Sequence, residues 1–209
     1  QKLRLADEAL DEVRFVRHLI NSAIIAAEKN KRIKEKLEER RDRYVASQAS
    51  KTFDPPLKPR EAVERLRSGE KSVLPFHWEI EFPEVFGREN PGFSCLVGNP
   101  PYLGGTRISE VAGMAYFQWL VERFPPAEHL CDLVAYFFRR SFALLQAGGC
   151  FGLIATNTIA QGDTREGGLR TILCDGGQIY NATKRFKWPG LAAVVVSIVH
   201  VSKVKAVKQ

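Results

Sequence analysis

Phe93-Ser94-Cys95-Leu96-Val97-Gly98-Asn99-Pro100-Pro101-Tyr102 is an apolar run of strand length that breaks on a polar, proline-stiffened tetrapeptide. Such a run predicts a buried strand, and the break places Asn99 at the carboxyl edge of a sheet. Open α/β sheets bind ligands along that edge. Pro100 has no backbone N–H, and Pro100 and Pro101 each fix their own φ, so the Asn99 carboxamide and the Pro100 carbonyl are held in a nearly fixed relation. Two rigid acceptors side by side suit an –NH2 group. Tyr102 adds a flat aromatic face, suited to stacking on a planar base taken out of its helix.

Downstream, the α/β rhythm continues. Asp132 is placed to cap a helix whose apolar face is Leu133, Tyr136, Phe137, Phe142, Leu144 and Leu145, with Gly148-Gly149 as its stop. A buried strand is predicted over Cys150 to Ala155. Strand, helix, turn and strand form a βαβ unit, which requires parallel pairing and favours a right-handed crossover. Thr156-Asn157-Thr158 should then lie level with Asn99, with the polar loop Gln161 to Arg165 over the same edge. A further helix, Glu166 to Leu173, leads to a strand near Ile179 to Thr183, whose partner is the β-branched run Ala192 to Val201. Between them Lys184-Arg185-Phe186-Lys187-Trp188-Pro189-Gly190 makes a basic, aromatic hairpin tip. Rings beside cations suit a base stacked between planes while its phosphates are held.

The chain upstream is different in character. From Leu3 to Ala46 it has no proline or glycine, and Ala6, Leu10, Val13, Val16, Ile20, Ile24 and Ala27 recur at helical spacing. Mixed charges follow at i, i+4 spacing, which describes a solvated helix better than a phosphate-binding one. The predicted organisation is a helical insertion or arm over 1–48, a linker with a short helix over 49–72, and a core over 73–209. Within the core, Leu74 to Phe86 is expected to be extended, packing Trp78, Ile80 and Phe82 onto the sheet.

At 209 residues and 44% hydrophobic, the chain can bury one domain core plus an appendage. Its net charge of +7 favours a polyanionic partner. Cys95, Cys131, Cys150 and Cys174 are far apart, and no histidine pairs with them at ligand spacing, so neither zinc nor a disulfide framework is indicated. The sequence holds no membrane-length apolar stretch, and no signal peptide is expected.

The tetrapeptide and its setting resemble the catalytic loop of amino-methyltransferases, most closely the N6-adenine-specific DNA methyltransferases of the NPPY class found in type IIG-like restriction–modification systems. The resemblance covers about Phe76 to Val201. It implies a partial Rossmann-like class I methyltransferase sheet carrying an N-terminal long-helix insertion, in a prokaryotic cytoplasmic protein. It implies S-adenosyl-L-methionine as methyl donor and double-stranded DNA as partner. By the same resemblance, Asn99 and the Pro100 carbonyl would accept from the adenine N6 amino group, while Pro101 stiffens the loop and Tyr102 stacks on the flipped base. Trp188, an aromatic immediately before a proline, would form the opposite wall, and Phe137 would pack against the donor's adenosine. Lys184, Arg185 and Lys187 would be phosphate contacts.

The glycine-rich donor-binding turn of that fold, and the acidic residue after its second strand, are not found upstream of Asn99. The expectation is therefore a fragment holding the acceptor half of a methyltransferase, inactive and weakly donor-binding alone, whose partner is the rest of the parent polypeptide with its donor-binding and target-recognition regions. Two other readings stay open: a protein-glutamine or RNA methyltransferase sharing the tetrapeptide, and a non-catalytic DNA-binding or scaffold module.

Overall fold

A computed structural model describes residues 76–188 and 194–204. The arm over 1–48 and the linker over 49–72 lie outside the described residues. The chain divides into two compact units, one of Gln1–Phe82 with Val111–Trp119, the other of Pro83–Glu110 with Leu120–Gln209. In the first, Phe76, Trp78 and Phe82 form a ring cluster, with Phe76 edge-on to Trp78 at 4.9 Å and Trp78 stacked on Phe82 at 5.8 Å. These residues are not extended as their partial alternation predicts. They form a helical turn at Trp78–Glu81, followed by another at Pro83–Phe86. The turn brings positions 78 and 82 onto one side, where their rings meet.

The second unit is built on a four-stranded sheet of order β1-β2-β4-β3, with β1 Phe93–Gly98, β2 Leu145–Thr156, β3 Gly177–Lys187 and β4 Val195–Lys203. β1 pairs with β2 in parallel, as the βαβ reading requires, and β4 pairs antiparallel with both β2 and β3. Along the chain, helix α1 (Gly105–Ala112), helix α2 (Met114–Arg123) and helix α3 (Leu133–Leu144) lie between β1 and β2, and of these α3 belongs wholly to this unit.

Register decides which side chains share a face. Phe151, Leu153 and Ala155 on β2 stand opposite Val201, Val199 and Ser197 on β4, and all six are buried. This face carries α3, whose Phe138 meets Phe151 edge-on at 5.4 Å. Both rings are fully buried, each contributing about 1.5–3 kcal/mol of apolar burial. β1 is not the fully buried strand its apolar run predicts. Among the described strands it stands at the sheet edge, and Cys95 and Val97 on the face away from α3 are exposed, Val97 to 85%.

Two local predictions are corrected at α3. Its buried residues are Val134, Ala135, Tyr136, Phe138, Phe142 and Leu144, so Phe138 is the central core ring and Phe137 faces outward. Gly148-Gly149 does not stop the helix, which ends at Leu144. The Lys203 ammonium donates there to the Leu145 carbonyl at 2.9 Å and lies over the Phe142 ring. Lys203 thus joins β4 to the helix end, and burial lowers its pKa. Gly148 falls instead inside β2 at φ 79°, where the β1 to β2 register is irregular and only glycine adopts such a backbone without strain.

Between β2 and β3, residues 157–174 are almost wholly helical. A 3₁₀ turn at Asn157–Ala160 is followed by α-helical, π-helical and α-helical stretches at Gly162–Arg165, Glu166–Arg170 and Thr171–Cys174. The predicted helix over Glu166 to Leu173 is present but begins earlier.

Candidate active site

The parallel pairing of β1 with β2 sends both strands out at one edge, and the antiparallel β4 begins there. Asn99 follows Gly98, which is level with Leu153, while Thr156 at the end of β2 is level with Val196. β3 ends at the same edge, because Lys187 pairs with Val195. Trp188 closes the hairpin by donating its backbone N–H to the Val194 carbonyl at 3.0 Å. Sheet register therefore brings three separate segments to one edge: the Asn99–Tyr102 loop, the Thr156–Ala160 turn, and the tip carrying Arg185, Lys187 and Trp188.

Within the loop, Asn99 and Pro101 are exposed, Pro100 is buried and Tyr102 is half-buried. One proline is thus packed inward while the carboxamide before it stays accessible, as an acceptor for an incoming N–H requires. The residue after Tyr102 is fastened. The Leu103 N–H donates to the Asp132 carboxylate at 3.0 Å, and the Leu103 carbonyl accepts from the Leu133 N–H at 2.9 Å. Asp132 also accepts from the Val134 N–H at 3.0 Å, the N-cap its position predicts. Its own N–H donates to the Thr164 hydroxyl at 3.0 Å. Beside it, burial pushes the Cys131 thiol up to about 11, which keeps a neutral sulfur next to that carboxylate.

Gly105 explains how the chain leaves the loop. A Cβ there would lie 2.4 Å from the His129 carbonyl oxygen and 2.9 Å from that of Cys131, so only glycine permits the approach. On the other side of the edge, the Ser197 hydroxyl donates to the Asn157 carboxamide oxygen at 2.9 Å, and the Thr156 and Thr158 hydroxyls bond each other at 2.6 Å.

The hairpin tip has a feature that sequence did not signal. Arg185 adopts φ 53°, and the register slips between Thr183 and Phe186, a bulge that inserts one extra residue into β3. Bulges of this kind re-aim neighbouring side chains and recur next to active sites. Lys184, Arg185, Lys187 and Trp188 are all exposed, Trp188 to 36%. Phe137 stands one turn into α3 and is 40% exposed, unlike its neighbours Tyr136 and Phe138. It is not a core ring. Among the described residues no group of three or more histidine, cysteine or acidic side chains is placed to hold a metal, and no helix is long and apolar enough to cross a membrane.

Comparison with known proteins places the sequence in a family. Of the solved structures, one similar to this chain is the Type IIL restriction-modification enzyme MmeI in complex with DNA, at 20% identity and a TM-score of 0.48. The match covers 77% of this chain and 21% of that enzyme, so the chain spans about a fifth of its length. No curated protein matches. Residues 12–181 match the model of the Eco57I restriction-modification methylase family. That span covers most of the described α/β unit, including the Asn99–Tyr102 loop and the whole of α3, and on it the chain belongs to the Eco57I restriction-modification methylase family.

Proposed function

We propose that this chain forms the acceptor side of a DNA adenine N6-methyltransferase within a restriction–modification or phage-defence protein. Membership of a restriction-modification methylase family supports DNA as the partner. The observation that carries the finer reading is the register of β2, β4 and β3, which sets Trp188 at the same sheet edge as Asn99 and Tyr102. Two aromatic faces and an accessible carboxamide suit one flat base with an exocyclic amine.

In this reading the target adenine leaves its stack and is held between Tyr102 and Trp188. Asn99 and the Pro100 carbonyl accept its two N–H bonds. Donating both hydrogens draws the nitrogen away from conjugation with the ring and leaves its lone pair more localised and nucleophilic. Pro100 and Pro101 keep the acceptors from relaxing, so their orientation is fixed before the base arrives. Arg185 and Lys187 hold backbone phosphates, a contact that positions without reading sequence. The exposed ring of Phe137 fits the flat adenosine of S-adenosylmethionine, which when bound supplies an electrophilic methyl group.

Single-turnover methyl transfer by the full-length protein tests the assignment. With a DNA duplex as substrate, Asn99→Ala and Tyr102→Ala should lower the transfer rate by 100-fold or more, in the range of about 10²–10³ for loss of an oriented donor or acceptor, with DNA still bound. Transfer to RNA or to a glutamine side chain instead of DNA, or unchanged transfer in both variants, contradicts it.

A further inference from the structure

We infer that Asp132 is a positioning residue for the Asn99–Tyr102 loop, beyond its part as a helix cap; the inference rests on the reading of that loop as the amine-binding site. An N-cap needs one bond, to the second or third N–H of its helix, and serine, threonine or asparagine makes it as well as aspartate. Asp132 makes that bond to Val134 and a second one, at the same 3.0 Å, to the N–H of Leu103, which lies 29 residues earlier in the chain. Both hydrogens converge on one oxygen, Oδ1. Leu103 is held from its other side too, through its carbonyl and the Leu133 N–H at 2.9 Å. Both backbone polar groups of the residue after Tyr102 are thereby fixed to the first residues of α3.

The consequence for the loop is geometric. Only Pro100, Pro101 and Tyr102 separate Asn99 from Leu103, and two of those three have a locked φ. The loop is anchored at one end by β1, through Gly98, and at the other by Asp132, with little torsional slack between. Releasing the Leu103 end frees Asn99 and Tyr102 to rotate away from a shared target. The anchor is itself held. Asp132 is 6% exposed, and its N–H donates to Thr164, which is 5% exposed, so the segment after β2 supports it. A carboxylate at the amino end of a helix is further favoured by the helix dipole, and its bonds to N–H groups are of the stronger, charge-assisted kind. Asp132 thus joins the loop after β1, the start of α3 and the helical stretch after β2.

The claim separates from simple capping by substitution. Asp132→Ser keeps an oxygen for the Val134 N–H but is too short to reach Leu103 as well. Asp132→Asn keeps Oδ1, and with it both bonds. In the full-length protein D132S should fold and bind DNA as the wild type does, yet lose about 10- to 100-fold in single-turnover methyl transfer, the scale expected of a misplaced reactive group. D132N should restore transfer. Full-rate transfer by D132S overturns the assignment. If N99A also transfers at the full rate, the reading of the loop itself falls, whereas an inactive N99A beside a fully active D132S removes only the role of Asp132. Should D132S fail to fold, amide exchange in the wild-type protein decides. Slow exchange at Leu103 supports the anchor, and exchange there at the rate of a free amide overturns it.

Discussion

The Ser197 hydroxyl donates to the Asn157 carboxamide oxygen at 2.9 Å, joining the turn that leaves β2 to the first residues of β4. Ser197 is buried and Asn157 half-buried, so the bond is partly shielded from water and ties the β2 exit to the hairpin. Ser197→Ala removes the donor and should cost about 1 kcal/mol, the usual net worth of such a bond. Urea unfolding measures it. A midpoint identical to the wild type would show that the bond contributes nothing.

Gly105→Ala is the sharper test of the loop's exit. Its Cβ would lie 2.4 Å from the His129 carbonyl oxygen, and backbone rather than a flexible side chain would have to move. The expected cost is about 1–3 kcal/mol, as for other overpacked sites. Gly104, which has open space beside it, serves as the control, and Gly104→Ala should be well tolerated by comparison. Equal melting temperatures for the two variants would contradict the close approach.

Trp188→Ala should weaken capture of an extruded base while leaving the fold intact, because the side chain is exposed at the hairpin tip. Base–aromatic stacking is worth about 1–3 kcal/mol, and Trp188→Phe should retain part of it. Fluorescence of 2-aminopurine at the target position reports extrusion. The same signal with alanine as with tryptophan would remove Trp188 from the site.

Arg185 offers two readouts with opposite signs. Its φ of 53° is one that glycine adopts more readily, so Arg185→Gly should leave stability unchanged or raise it slightly. If its guanidinium holds a phosphate, the slope of log affinity for DNA against log salt should shrink by about 1. An unchanged slope would confine Arg185 to a backbone role.

The Cys131 thiol gives a pH dependence. Burial raises it from 9.0 to about 11 in the folded chain, so the unfolded chain loses this proton first as the solution becomes alkaline. The stability linked to the neutral thiol is complete below pH 9 and is lost as pH rises through about 11. Cys131→Ala should flatten this part of the stability profile. A profile equally steep in the variant would place its origin elsewhere.

Much of this arrangement was legible in the residues. The strand ending at Gly98, the Asp132 cap and the pairing of the last two strands follow from apolar periodicity and turn chemistry, which are local. What was not legible depends on partners distant in sequence. Gly148-Gly149 has the composition of a helix stop, but Lys203 at the far end of β4 takes the helix-end carbonyl and the glycines enter β2. The partial alternation of Trp78, Ile80 and Phe82 fits a strand, yet ring packing between positions 78 and 82 belongs to a helical turn. Phe137 and Phe138 are indistinguishable by type, and only the position of Phe151 decides which one is core. The second bond of Asp132 had no sequence signal, because Leu103 is an apolar residue contributing only its backbone.

The central claim is that Asn99 and its loop present an accessible acceptor to an adenine amino group. It is tested most directly by methylated-base sequencing of DNA from cells expressing the full-length protein, beside cells expressing its Asn99→Ala form. The account predicts N6-methyladenine at one recurring sequence with the wild type and none with the variant. Methylation at cytosine, or N6-methyladenine undiminished by the substitution, would contradict it.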